Sequence, residues 1–213
     1  SCMKPVHILK PARVLCGEII TVAIGIDDDI IDGIEDDTLA VLTPAQAKKI
    51  FPRRDLMANK GTFGRALSIC GSRNMQGAAV LAASSALRSG AGLVTAAFPD
   101  AAYNAMAPKL TESLLLPLPS NEAGTFSSGA IPALLEQAEK SSAVLIGCGL
   151  GLNLHTKELV SALVQNCTKP MIIDADGINA LAANIDILKN IKAPVILTPH
   201  PGEMSRLTGM SIA

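Results

Sequence analysis

Short apolar runs recur between residues 65 and 198, each separated from the next by a stretch of helical character bounded by turn residues. The runs Arg65 to Cys70 (RALSIC), Leu93 to Phe98 (LVTAAF), Ser113 to Leu116, Ala143 to Ile146, Met171 to Asp174 and Val195 to Thr198 are apolar nearly throughout rather than alternating. A strand without a polar face must be covered on both sides, a condition met in parallel sheets flanked by helices. Gln76 to Ser89, closed by Gly90, and Ile131 to Lys140, His155 to Asn166 and Asp176 to Ala183 supply the helices. The expected fold class is therefore α/β, a mostly parallel sheet flanked by helices. Pro117 to Gly129 (PLPSNEAGTFSSG) reads as a mobile surface loop.

The residues ahead of this pattern have a different character. Glu18 to Ile26 (EIITVAIGI) reads as a strand, and Asp27 to Asp37 holds six Asp and one Glu, the composition of a linker or tail. Thr43 then Pro44 mark a helix start, carrying Ala45 to Phe51 before Pro52 stops it. A domain boundary is expected near Asp37 to Leu42.

Composition narrows the function classes. Eighteen Lys and Arg against nineteen Asp and Glu leave no excess of positive charge to neutralise a phosphate backbone, and with no Trp, one Tyr and four Phe there is little on which bases can stack. Nucleic acid is excluded as a first expectation. The longest apolar runs, such as Ala78 to Ala83, fall far short of the ~20 residues that span a bilayer, so no membrane partner is expected. Five scattered cysteines without a C-x-x-C pair, and an opening Ser1-Cys2-Met3-Lys4-Pro5 with no apolar leader, favour a cytoplasmic address. Three dispersed histidines share no ligand spacing, so no transition metal is assigned.

Four constellations stand at the carboxyl ends of the strands, where the loops of an open α/β sheet line a ligand crevice. Strand Arg65 to Cys70 runs into Gly71-Ser72-Arg73-Asn74-Met75-Gln76-Gly77-Ala78-Ala79, whose helix start offers free N–H groups to an anion, or merely packs small residues tightly on the sheet. It matches neither G-x-G-x-x-G nor the P-loop pattern. Gly147-Cys148-Gly149-Leu150-Gly151 follows the fourth strand and allows close backbone approach to a ligand, or is simply a tight turn. Asp174 and Asp176 flank the mouth of the fifth, where carboxylates can orient a hydroxyl or hold Mg²⁺ through water while Asp176 also caps the next helix. Last, Pro199-His200-Pro201-Gly202-Glu203 fixes His200 between two prolines, a restriction suited to a ligand contact or to a histidine that serves structure alone.

Taken in order, KGTFGRALSICGS, MQGAAVLAASSALRSGAGLV, IGCGLG, DADGIN and LTPHPGEMSRLTG resemble the ADP/ATP-dependent NAD(P)H-hydrate dehydratases, the carboxyl-terminal half of bifunctional NAD(P)H-hydrate repair enzymes. The resemblance runs from about Leu42 to the end, and Ser1 to Asp37 looks like the tail of the amino-terminal epimerase half. It implies a ribokinase-like fold and nucleotide-dependent dehydration of hydrated NADH or NADPH (NADHX, NADPHX): the 6-hydroxyl is phosphorylated by ADP or ATP, and phosphate then leaves in place of hydroxide. By the same resemblance Ala78, Gly149, Gly151 and His200 would contact the hydrated dinucleotide, Asp174 and Asp176 would lie near the nucleotide or its Mg²⁺, and a homo-oligomer is expected. The division implied is 1–38 for the epimerase tail and acidic linker, and 39–213 for the dehydratase domain. The family's K-G-x-x-T strand and the G-x-G-D motif that carries its catalytic Asp are not found here, so no catalytic residue is assigned and the sheet is expected to be incomplete at the carboxyl end, with an exposed edge and uncovered apolar faces. Two alternatives stand beside this reading: a small-molecule kinase of the hydroxyethylthiazole or pyridoxal kinase kind, and an inactive nucleotide-binding fragment.

Overall fold

A computed structural model describes residues 7–22, 24–27, 29–30, 42–51 and 54–212. Most of the acidic stretch, and all but Leu42 of the boundary expected near Asp37 to Leu42, lie outside the described residues. The chain divides into two compact units, Ser1–Asp55 and Leu56–Ala213.

In the first unit, helix α1 (Pro44–Ile50) starts as its residues dictate. Pro44 occupies the first helical position, the Thr43 side chain accepts from the Gln46 N–H, and the Gln46 side chain accepts from the Thr43 N–H. Among the described residues of Glu18 to Ile26 the expected strand is not seen. Ile20, Val22, Ile24 and Ile26 stand exposed, and β-branched residues make a strand only where a neighbouring strand supplies a ladder and a surface covers them.

The second unit is built on six parallel strands, β1 (Arg65–Ile69), β2 (Leu93–Pro99), β3 (Leu114–Leu118), β4 (Ala143–Ile146), β5 (Met171–Ile173) and β6 (Val195–Leu197), in the order β3-β2-β1-β4-β5-β6. All six lie where the apolar runs placed them. The chain winds outward from β1 through β2 to β3, returns to the other side of β1 as β4, and winds outward again. The winding direction therefore reverses between β1 and β4, and the loops above their carboxyl ends diverge to leave a crevice there.

Each face of the sheet has its own core. On one, α2 (Gln76–Arg88) lays Ala79 and Ala83, one turn apart, against Val94, Ala96 and Phe98, helped by the single turn α3 (Tyr103–Met106) through Met106. On the other lie α4 (Ile131–Glu139), α5 (Leu154–Asn166), α6 (Asp176–Leu181) and α7 (Pro201–Thr208), over Leu67, Ile69, Val144, Ile146 and Ile173. In α5 the buried residues Thr156, Leu159, Val160, Leu163 and Val164 follow the three-four spacing that keeps one stripe on the sheet. Each fully buried Leu or Ile contributes about 1.5–3 kcal/mol of apolar transfer.

Coverage on both faces does not extend to the whole sheet. Because strand side chains alternate, Met171 and Ile173 face the α4–α7 layer while Ile172 and Ile196 face the α2 side, where α2 packs mainly on β1 and β2. They are 39% and 59% exposed. Among the described residues an apolar half-face over β4 to β6 and the edge of β6 thus stay open. A cavity of about 640 Å³ runs along this half-face beneath α2, past Leu81, Ala82, Leu145 and Ile172.

Candidate functional site

Two strand-end loops meet at the reversal. Gly71 N–H donates to the Cys148 carbonyl (2.8 Å) and Gly147 N–H to the Ile69 carbonyl (3.2 Å), stitching the loop after β1 to the loop after β4. Gly147 has φ +132°, and a Cβ there would stand 1.8 Å from the Asp174 carbonyl oxygen, so only glycine lets β5 pass this close. Gly149 has φ +71°, and its missing Cβ would lie 2.8 Å from the Ala78 Cβ and 3.0 Å from the Met75 Cβ. The expected contacts Ala78 and Gly149 are thus pressed together where α2 begins. The cap residue of α2, Met75, has no side chain able to accept from the first-turn N–H groups, which leaves that positive end open to an anion.

Asp174 and Asp176 take different tasks. The Asp174 carboxylate accepts from Thr198 Oγ1 (2.7 Å) and from the Cys148 thiol (3.3 Å), joining the ends of β4, β5 and β6. The neighbouring Cys70 thiol, burial and the Asp174 carboxylate all push the Cys148 thiol up from its ordinary pKa, which keeps it a protonated donor. Ala78, Cys148, Asp174 and Thr198 form one end of the apolar cavity described above.

Asp176 was expected to cap the helix that follows it, and it does not. It is the first residue of α6, the cap position belongs to Ala175 at φ 48°, and the Asp176 carboxylate instead accepts from the Gly151 N–H (2.8 Å). A non-glycine residue with positive φ is uncommon, and here it turns the chain so that Asp176 reaches across to the β4 loop. The second oxygen of Asp176 has no protein partner among the described residues, so the donor set suits a hydrated Mg²⁺ held through water.

His200 is the cap of α7. Its Nδ1 accepts from the N–H groups of Gly202 (3.0 Å) and Glu203 (3.4 Å), its Nε2 lies 3.2 Å from Glu203 Oε1, and Glu203 Oε2 accepts from the His200 N–H (2.9 Å). The exposed imidazole therefore sits in a reciprocal cap over a buried glutamate, with Pro201 at the first helical position. The structure brings Ala78 to Gly149 and Gly151 to Asp176. It holds His200 at the end of β6 with partners in its own helix.

The segment read as a mobile surface loop is pinned and partly buried. Ser120 bridges to Phe126, Phe126 and Thr125 are buried, the Arg73 N–H donates to the Gly124 carbonyl (2.8 Å), and Asn153 Nδ2 donates to Thr125 Oγ1 (2.7 Å). Residues 120–126 therefore link the β1 loop to the β4 loop across the crevice. Thr125, whose Cγ2 would be 3.0 Å from a Cβ on Gly151, and Asn153, which also caps α5, are site residues that the sequence reading missed. The signal for Asn153 was available as an Asn directly before an apolar helical stretch. Thr125 had none, because its partners are distant in sequence.

Residues 66–213 match the family model described as NAD(P)H-hydrate dehydratase. Over 206 residues the chain is 38% identical to the bifunctional NAD(P)H-hydrate repair enzyme Nnr of Moorella thermoacetica, covering 97% of this chain and 39% of that protein. Among solved structures it is similar to the ADP/ATP-dependent NAD(P)H-hydrate dehydratase of Bacillus subtilis co-crystallised with ATP and Mg²⁺, at 32% identity and a TM-score of 0.59 over 78% of this chain and 55% of that one. A ribokinase-like superfamily protein of Enterococcus faecalis, 23% identical with a TM-score of 0.62 over 75% of this chain and 53% of its own, shares the fold. The chain spans about two fifths of the curated relative and about half of these solved chains.

Proposed function

The chain belongs to the NAD(P)H-hydrate dehydratase family, and on that premise we propose that it serves the nucleotide-dependent return of hydrated NADH and NADPH to their reduced forms. The observation that carries this reading is the assembly at the reversal of the sheet. There the uncapped start of α2, the glycine-bearing loop after β4 and the two aspartates around β5 converge on one crevice. Ala78 and Gly149 give a wall without side-chain bulk against which a planar ring can lie, and Gly151 is set beside them by its hydrogen bond to Asp176. His200 presents an exposed ring edge at the end of β6.

Bound there, the hydrated ring must lose the oxygen at C6 and a proton at C5 so that the C5–C6 double bond reforms. Hydroxide is a poor leaving group, whereas transfer of a phosphoryl group from ADP or ATP to the 6-hydroxyl, with release of AMP or ADP and of the hydroxyl proton, lets the oxygen depart as phosphate. A Mg²⁺ ion held through water by Asp174 and Asp176 would neutralise charge on the nucleotide phosphates. The residues of this chain bind and orient: the α2 start and the β4 loop offer N–H groups to anionic oxygen, and the 120–126 segment screens the crevice from water. Action in the cytoplasm as a homo-oligomer belongs to the same proposal.

The test is recovery of reduced-nicotinamide absorbance from chemically hydrated NADH or NADPH by the purified chain, with Mg²⁺ and either ADP or ATP. Recovery that requires nucleotide and declines in Gly149→Ala is expected. A chain folded by circular dichroism that restores no absorbance would overturn the proposal, and accumulation of a phosphorylated alcohol would mark a kinase instead.

A further inference from the structure

A second cavity, of about 530 Å³, opens between α5, α6 and α7 and is lined by Leu152, Asn153, Leu154, Lys157, Asn179 and Arg206. Two of these six side chains are cationic and none is acidic. The Arg206 Nε donates to Asn179 Oδ1 (2.7 Å), which steadies the guanidinium without neutralising it. The Lys157 ammonium has no hydrogen bond or ion pair among the described residues. The nearby carboxylates are held by other groups: Asp176 by the Gly151 N–H, Glu203 beneath His200, and Glu158, which follows Lys157 on α5, by Ser128. The lining itself therefore presents two cationic side chains with amide groups beside them and no carboxylate.

Its position ties it to the crevice. Leu152 directly follows Gly151, and Asn179 lies one turn along α6 from Asp176, which holds that Gly151 N–H. On the other side the Arg206 Nη1 lies 3.6 Å from where a Cβ on Gly202 would stand, and Gly202 is one of the two residues that donate to His200. The lining of the cavity thus adjoins Gly151 in the chain and, through Arg206, approaches Gly202 beside His200; Gly151 and His200 are two of the residues expected to touch the dinucleotide. Exposed Leu152 and Leu154 add apolar surface against which a sugar or base can rest.

We infer that this cavity is an anion subsite in which Lys157 and Arg206 hold a phosphoryl group of the dinucleotide, an assignment that rests on the repair reading above for the identity of its ligand. A fork-shaped guanidinium and a mobile ammonium suit phosphate oxygens, the first by geometry and the second as a point charge. The group is either the pyrophosphate common to both dinucleotides or the extra ribose phosphate of the NADPH form.

The experiment titrates the full chain with NADH and with NADPH by nicotinamide fluorescence, and with inorganic pyrophosphate by calorimetry, comparing the parent with Lys157→Gln, Lys157→Gln/Arg206→Gln and Lys157→Arg. The double variant is expected to bind at least about tenfold more weakly, Lys157→Gln to fall between, and Lys157→Arg to stay near the parent. A loss confined to NADPH assigns the ribose phosphate, and an equal loss for both assigns the pyrophosphate. Lys157→Gln, at an exposed position, keeps the test valid if the double variant fails to fold. Equal affinities in parent and Lys157→Gln overturn the inference, as does a parent that binds neither dinucleotide. A parent that binds dinucleotides in a Lys157-dependent way but regenerates no reduced ring from the hydrates removes the repair reading and leaves the subsite.

Discussion

Replacing Gly149 by alanine adds one methyl group at the most crowded point of the crevice, and its cost can be built from two terms. At φ +71° an alanine is strained by about 1–2 kcal/mol relative to glycine. Its Cβ would also stand 2.8 Å from the Ala78 Cβ, 3.0 Å from the Met75 Cβ and 3.1 Å from the Met75 carbonyl oxygen, all well inside van der Waals contact. Relief requires the start of α2 to move, and overpacking of this kind costs about 1–3 kcal/mol. The sum is about 3 kcal/mol, which in equilibrium urea unfolding moves the midpoint down by about 1.5 M for a slope near 2 kcal/mol/M. The same chemical change at Gly77 supplies the control, since a Cβ there meets nothing within 4 Å and φ is not positive. Gly77→Ala should gain a few tenths to 1 kcal/mol, because alanine is the better helix former. Combining Gly149→Ala with Ala78→Gly removes the closest contact but not the backbone strain, so the second change should return about 1 kcal/mol of the loss beyond its own effect. A Gly149→Ala cost below 1 kcal/mol, or one that is the same with and without the Ala78 methyl, would refute the reasoning.

Asp176→Ala removes the acceptor for the Gly151 N–H and should cost about 1–2 kcal/mol, with faster amide exchange at Gly151 as the specific readout; unchanged exchange there would mean the carboxylate does not hold the loop. Glu203→Ala strips the buried half of the α7 cap and should lower stability by about 1–2 kcal/mol in thermal unfolding, whereas Glu203→Gln, which can still accept from the His200 N–H, should lose less. Thr125→Val removes the hydroxyl shared with Asn121 and Asn153, so limited proteolysis should begin to cut within 120–126; a digestion pattern identical to that of the parent counts against a pinned segment. Burial raises the Cys167 thiol, so the folded state keeps this proton at a pH where the unfolded chain loses it. Stability should therefore fall as pH rises above the ordinary thiol value, and Cys167→Ala should fall less steeply over the same range.

The strands of the second unit were legible because covering a strand on both faces demands an uninterrupted apolar run, and every such run from Arg65 to Thr198 became one. The same criterion could not locate Ile172 and Ile196 on an open half-face, since a run records only that apolar residues are present and not what lies above them. Glu18 to Ile26 shows the converse: a strand-like composition with no strand among its described residues, because pairing is a property of two segments and the sequence displays one. At the site, glycines and aspartates could be placed at strand ends from spacing alone. The exchange of partners between Asp176 and Gly151 depended on the backbone turn at Ala175, which no local preference for alanine would indicate. Helix α7 had the cap signals of a proline at its first position, a glutamate two residues on and Gly209 after its end, and weighing His200 as a ligand contact or a structural histidine without reading it as a helix cap left them unused.

The reversal between β1 and β4 also sets the order in which the molecule can come into being. β1 and β2 are neighbours joined by a single helix, whereas the closure that brings Ser142 to Arg65 spans 77 residues. Chain entropy makes that longer closure about 0.9 kcal/mol more costly than the β1–β2 closure, a modest penalty that falls entirely on one step. During synthesis, β1, β2 and β3 are all made before β4 exists, and until β4 docks no crevice separates the two loops. The binding surface is therefore acquired by a non-local event in folding, the slow kind. A ligand that recognises the crevice pulls the folding equilibrium only from that event onward, and so selects chains that have completed it.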